Sequence, residues 1–343
     1  MSKHAPDPIL TVKYTGGLGN VLFQIAAAIS YSIKLRRRVA LNEHPSLPNL
    51  TKYSVALSQA NQYQNHCENE LSEYNIVLKY RRKFGPDFVE QIRSDFSNNP
   101  LVILTGFFQE YTLIEYYKTH FLNVAGIPVI RMNVLSKILG EARLEFCERG
   151  LFSHLYKSTM CVSDESLFVD DVTISLHIRR GDYEMQSCYF LLINEYYYKL
   201  ALSHIAKTVI SRNPAASLKV LCFYERKSSQ SAAKIVDALT KDDELSKYPI
   251  EYYYFNDIVN QSGVQITDME EIAIMSHCQH HIIANSTFSW WGAYLNPSVD
   301  KVVCYPNEYY NHQLYYLSIL GLSVKQWTSI PAWNPNERKC ECF

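Results

Sequence analysis

A chain of 343 residues that is 47% hydrophobic and 20% charged has the apolar content for one large or two medium domains, which excludes a small disulfide scaffold and a wholly disordered polymer. Its 33 Lys and Arg against 34 Asp and Glu leave a net charge of −1, so no global field recruits a polyanion. This argues against general nucleic-acid binding, and an anionic ligand must be met locally. Nine cysteines without CxxC spacing read as reduced thiols. The opening residues Met1–Pro8 lack an apolar run, and the segment Val21 to Leu35 is interrupted by Gln24, Ser30, Ser32 and Lys34. No membrane span and a cytoplasmic protein are therefore expected. Sequons at Asn49, Asn260 and Asn285 would matter only in a secretory lumen.

Leu10 to Tyr14 reads as a strand that runs into Gly16-Gly17-Leu18-Gly19-Asn20, followed by a helix to Leu35 and a second strand at Val39–Leu41. A βαβ start of this kind places ligand loops at the carboxyl ends of its strands. The polar, Tyr- and Asn-rich stretch from Asn42 to about Asn99 yields no placed element. Leu101–Leu104 is a buried-strand pattern, and Met132 to Arg149 has helical spacing. A second series opens at Val172–Ile178 and alternates regularly. Helices are predicted at 196–210, 229–239 and 267–276, and strands at 218–223, 250–255, 281–284 and 302–305. The expected class is α/β, with a domain 1–160, a domain 161–310, and a segment 311–343 packing back on the first domain.

Three segments carry residue types suited to an anion. In His177-Ile178-Arg179-Arg180-Gly181-Asp182-Tyr183, two guanidiniums offer planar donor forks that match phosphate oxygens, and Gly181 lets the backbone turn beside a ligand. Taken alone, the same residues fit an Arg–Asp pair that only orders a loop, and an adhesion role for Arg180-Gly181-Asp182 is disfavoured at the end of a core strand. Asn285-Ser286-Thr287-Phe288-Ser289-Trp290-Trp291 combines helix-capping hydroxyls with amides at a helix start, which hold anions as well as caps. Gly16 to Gln24 matches a dinucleotide fingerprint only in part, because Leu22 stands where the third Gly belongs. NAD and ATP therefore both fit poorly. His277-Cys278-Gln279-His280-His281, with Cys340 and Cys342, matches no standard zinc spacing, and no metal site is expected. Arg36-Arg37-Arg38 and Arg81-Arg82-Lys83 read as solvated faces or helix ends.

Taken in order along the chain, the Gly16–Ala26 turn, Gly106-Phe107-Phe108-Gln109, the His177–Tyr183 loop, and the Asp268 to Leu295 stretch with its Asn-Ser-Thr-Phe-Ser-Trp-Trp-Gly-Ala core resemble glycosyltransferase family 11, the inverting α1,2-fucosyltransferases. The resemblance spans nearly the whole chain except about 43–99. It implies two facing Rossmann-like domains of the GT-B type, GDP-fucose as donor, a galactose-terminated glycan as acceptor, and transfer without a metal ion or other cofactor.

By the same resemblance Arg179 stabilises the charge that grows on the β-phosphate, Arg180 supports it, and Asp182 orients the pair. His177 and Asp268 fall where the base or ribose is held, and Asn285, Ser286, Thr287 and Ser289 fall at the phosphate-binding helix start. Asn20 and Gln24 belong to the sugar or acceptor side. The chain departs from the family's acidic pattern at Phe223-Tyr224-Glu225-Arg226, where acidic character remains only at Glu225. This keeps open a GDP-sugar or glycan-binding module without transfer, or a transferase using another nucleotide sugar.

Overall fold

The short apolar runs read as strands lie in two parallel sheets in the computed structural model, which describes residues 8–54, 70–72, 86–96, 99–141, 146, 149–155, 170–311 and 321–336. The chain divides into two units, Met1–Val129 and Ile130–Phe343. The division falls earlier than the expected position near 160, inside the helix Ile127–Ser136, where composition gives no warning.

The first unit has a four-stranded sheet of order β2-β1-β4-β3, built from β1 (Ile9–Val12), β2 (Arg38–Val39), β3 (Glu70–Ser72) and β4 (Leu101–Thr105). All three pairings are parallel. Helix α1 (Leu18–Leu35) is buried along most of its length, because its Ala, Ile and Leu residues leave almost no polar face. Its length and hydropathy would suffice for a membrane span, and its burial is that of a core helix. The helix closes at Arg36 in the left-handed conformation, and Arg37 then donates to the carbonyls of Phe96 at 2.5 Å and Asn99 at 2.8 Å. This part of the basic run therefore ties a helix end to the strand entry. Helix α2 (Pro86–Asp95) and β3 lie within the region where the sequence placed nothing.

The second unit has a six-stranded parallel sheet of order β10-β9-β8-β5-β6-β7. Its strands are β5 (Asp171–Ile178), β6 (Ser217–Tyr224), β7 (Ile250–Tyr254), β8 (His280–Ile282), β9 (Val303–Pro306) and β10 (Thr328–Ile330). The helices that matter below are α3 (Asp182–Met185), α4 (Asp268–Met275) and α5 (Thr287–Leu295). One core gathers Ile174, Leu176, Tyr197, Leu202, Leu218 and Val220, and a second gathers Phe223, Phe255, Ile274, Met275 and Phe152.

The described part of the carboxy-terminal segment belongs to this unit and not to the first. Strand β10 extends its sheet beside β9, and Trp290 Nε1 donates to the Leu322 carbonyl at 2.8 Å. The α/β class thus holds in both units. The helix expected over 132–149 starts earlier, at Ile127, and its regular part ends at Ser136 in a wide turn over Lys137–Glu141. Arg81-Arg82-Lys83, Cys340 and Cys342 lie outside the described residues.

Candidate functional site

Strand β5 sits between β6 and β8, and the chain leaves it first toward β6 and β7, then returns on its other side through β8 and β9. The sheet therefore has its switch point between β5 and β8, where parallel α/β folds open a ligand crevice at the carboxyl ends of the strands. Two of the motif segments are the loops leaving those strands. They meet directly: the Tyr183 hydroxyl donates to the Asn285 carbonyl at 3.1 Å, and the His177 and Phe288 rings lie 5.8 Å apart.

Arg179 leaves the end of β5 and is held from two sides. Its Nη1 pairs with Glu225 at the end of β6, and its Nη2 pairs with Asp182 on the first turn of α3. The guanidinium carbon stands 4.8 Å from the Tyr183 ring centroid, within cation–π reach. Asp182 thus orients Arg179, whereas the partnership with Glu225, 46 positions away, was absent from the sequence reading.

Arg180 turns the other way and donates from Nη2 to the Ile193 carbonyl at 2.7 Å, which anchors the loop to the segment before the next helix. Gly181 makes the turn with φ +61, and a Cβ there would stand 2.1 Å from Glu225 Oε2. Its N–H donates to Ser228 Oγ at 2.9 Å, joining the loops after β5 and β6.

Nine buried side-chain N or O atoms have no hydrogen-bond partner among the described residues, and four of them belong to the two motif segments at the ends of β5 and β8: His177 Nδ1, Arg179 Nε, Arg180 Nη1 and Asn285 Oδ1. Leaving such atoms unpaired costs about 1–3 kcal/mol each, so their concentration at one sheet edge marks a place built for a polar ligand. His177 is 5% exposed, and burial together with the Arg179 charge pushes its imidazole down to about 3, which keeps it neutral. Asn285 spends its amide nitrogen on the carbonyls of Leu191 and Tyr309, at 2.8 and 2.9 Å.

Helix α5 begins at the same edge. Ser286 is its N-cap and accepts from the Phe288 N–H at 3.3 Å, and Ser289 Oγ accepts from the Ala284 N–H at 3.2 Å. Thr287 opens the first turn, where amides and the helix dipole favour negative charge. Trp290 and Trp291 are fully buried and belong to the core.

On α4 the acids divide by their surroundings. Asp268 is exposed at the first helical position, and Glu270 completes a capping box with Thr267 and pairs with Lys137 at 2.6 Å. Glu271 is half-buried. Burial, followed by the charge of Asp268, raises its carboxyl to about 8, with Arg226 and Glu225 acting on it in opposite senses. Glu271 is therefore the less exposed of Asp268 and Glu271. Its position before Ile272 and four residues before Met275, both buried, was the signal available in the sequence.

The raised value fixes a sign. A carboxyl with a folded value near 8 and an ordinary value of 4.5 favours folding below pH 4.5, and the contribution is lost as pH rises through 8. Glu271→Gln is therefore expected to gain stability relative to the wild type, by on the order of 1–3 kcal/mol, between pH 5 and pH 8. Urea midpoints of the two chains at both pH values check this, and parallel shifts would contradict it.

In the His277–His281 segment, His280 and His281 are structural. His281 uses both ring nitrogens, toward Ser175 Oγ and Asn296 Nδ2, each at 2.8 Å. His280 Nδ1 accepts from the Val302 N–H at 3.0 Å, and burial lowers both His277 and His280 to about 4. Among the described residues no group of His, Cys, Asp or Glu is placed to hold a metal ion.

In the first unit the switch point lies between β1 and β4, and the motif loops Gly16–Asn20 and Gly106–Gln109 leave those strands side by side. Gln24 is 0% exposed and uses its amide on Thr15 N–H, Thr15 O, Thr15 Oγ1 and the Gly106 carbonyl. It fixes the two loops and is not free to face a sugar, which corrects the expectation for it. Asn20, half-buried, accepts from Gln109 Nε2 at 2.9 Å.

Residues 247–328, which contain α4, β8 and α5, match the family model described as Glycosyl transferase family 11. The O-antigen biosynthesis glycosyltransferase WbnK of Escherichia coli is 28% identical over 327 residues, covering 86% of this chain and 93% of that protein. Among solved structures, a FUT1 mutant of Arabidopsis thaliana in complex with GDP aligns with 88% of this chain and 71% of its own, at 11% identity and a TM-score of 0.45. The fucosyltransferase NodZ from Bradyrhizobium aligns with 85% and 94%, at 12% identity and a TM-score of 0.38.

Proposed function

We propose that this chain, whose residues 247–328 match the glycosyltransferase family 11 model, is a member of that family and transfers L-fucose from GDP-β-L-fucose to the 2-hydroxyl of a β-galactoside, with inversion and without a metal ion. The observation that carries this is the cluster of unpartnered buried polar atoms on His177, Arg179, Arg180 and Asn285 at the β5/β8 switch point. In the reaction the bond between fucose C1 and the β-phosphate oxygen breaks, the acceptor oxygen bonds to C1 from the opposite face, and the hydroxyl proton passes to solvent.

Negative charge grows on the β-phosphate as the bond breaks, and the fixed guanidinium of Arg179 is the group assigned to stabilise it. The start of α5, with Ser286 and Thr287, holds the diphosphate oxygens on backbone amides and hydroxyls, whereas the Ser289 hydroxyl, 2% exposed, is spent on the Ser286 carbonyl and the Ala284 N–H and braces the turn, which corrects the expectation for it. Asn285 Oδ1 and His177 Nδ1 take the nucleoside's polar groups. Asp268, exposed at the first position of α4, keeps the role of accepting from the base or ribose. Asn20, at the rim of the first unit, is retained on the sugar or acceptor side.

Purified protein incubated with GDP-fucose, an array of β-galactosides and excess EDTA is expected to yield α1,2-fucosylated product and free GDP. Strict dependence on added Mn²⁺ would overturn the metal-free step. A melting temperature raised by GDP with no acceptor modified would leave a binding module, and stabilisation by UDP instead would point to another nucleotide sugar.

A further inference from the structure

Arg179 in this chain is a cation already neutralised, and its two counter-charges come from different places. Asp182 is three residues away on the same loop and moves with it. Glu225 belongs to the loop after the neighbouring strand, where its carbonyl accepts from the Ser228 N–H at 2.7 Å and Ser228 Oγ in turn holds the Gly181 N–H. Only a glycine at 181 leaves room for the Glu225 carboxylate to lie over the turn.

We propose that Glu225 is a positioning residue that sets how weakly the site holds a nucleoside diphosphate, neutralising Arg179 before the donor arrives and speeding departure of the diphosphate product. The proposal rests on the functional reading above and adds to it a role for the one acidic residue that remains in the segment Phe223–Arg226. A diphosphate placed on Arg179 brings negative charge beside Glu225, and like charges at such range repel appreciably even with solvent screening. Tight binding shared equally by donor and product does not accelerate the chemical step, and product release often limits turnover. A carboxylate that weakens the diphosphate's hold therefore favours turnover without entering the chemistry.

The test compares wild type, Glu225→Gln and Glu225→Asp in GDP titration calorimetry and steady-state transfer, with melting temperatures to confirm folding. Glu225→Gln keeps an acceptor for Arg179 but removes the charge. It is expected to bind GDP about 10-fold tighter or more, to lower KM for GDP-fucose, and to lower kcat with a burst of product in the first turnover. Glu225→Asp is expected to stay near wild type. A residue that merely braced the loop would give weaker GDP binding in Glu225→Gln. Unchanged or weaker GDP binding in that variant, with wild-type binding intact, overturns the role of Glu225 alone. Failure of the wild type to bind GDP overturns the functional reading and this proposal with it.

Discussion

Arg179→Ala is expected to reduce kcat/KM for fucosyl transfer at least ~100-fold, the loss typical of removing one preorganised donor from a developing oxyanion. The guanidinium is fixed before any ligand arrives, by Glu225, by Asp182 and by the Tyr183 ring, so it pays no reorganisation when charge appears on the leaving phosphate. The loss should appear mainly in kcat, because an interaction that strengthens in the transition state is what is removed.

Stability should change little, since the Asp182 and Glu225 side chains are 46% and 37% exposed and can be solvated once their partner is gone. Arg179→Lys restores the charge without the planar fork and is expected to recover only part of the rate. Turnover in Arg179→Ala within a few-fold of wild type, in a chain that melts normally, would refute the assignment.

The parts of the fold legible in the sequence are those whose strands are long and buried on both faces. Strands β5 and β6 are eight residues each and buried almost throughout, so their apolar runs stand out and the loops that follow them are easily placed. Strands β3 and β10 have three residues each, Glu-Leu-Ser and Thr-Ser-Ile, and their pairing with β4 and β9 comes from the sheet and not from a local pattern.

The same contrast divides the site. Arg179 and Asp182 are neighbours in sequence and their pairing could be anticipated, but Glu225 is brought in by the parallel register of β5 and β6, which sets Ile178 opposite Tyr224. Gln24 shows how a motif residue is misassigned. It lies in a helical run buried on every side from Val21 to Ser32, and a lone amide there has to spend its hydrogen bonds on nearby backbone. That Asp268 is more exposed than Glu271 is partly disclosed by the capping box at Thr267 and Glu270, because it commits the first turn of α4 to solvent.

The largest expected effect on stability comes from Trp290, whose ring stacks on Tyr294 with centroids 4.6 Å apart and also contacts Trp291 and Trp327. The ring is 0% exposed. Its burial joins the second residue row of α5 to the carboxy-terminal segment, where Nε1 satisfies the Leu322 carbonyl. Truncating an aromatic at such a site loses transfer energy and leaves a cavity that rigid neighbours only partly close, so Trp290→Ala should cost about 3–5 kcal/mol in urea unfolding.

Trp290→Phe, which keeps most of the ring volume but leaves the carbonyl unpaired, is expected to cost about 1–3 kcal/mol. The two variants separate packing from hydrogen bonding. Because the Ser286 cap and Ser289 sit within one turn of Trp290, nucleotide affinity should fall along with stability in Trp290→Ala, while Arg179→Ala lowers turnover in a normally stable chain. A midpoint for Trp290→Ala within 1 kcal/mol of wild type would show that α5 is held by something other than this aromatic cluster, and the link between its packing and its anion-binding end would have to be abandoned.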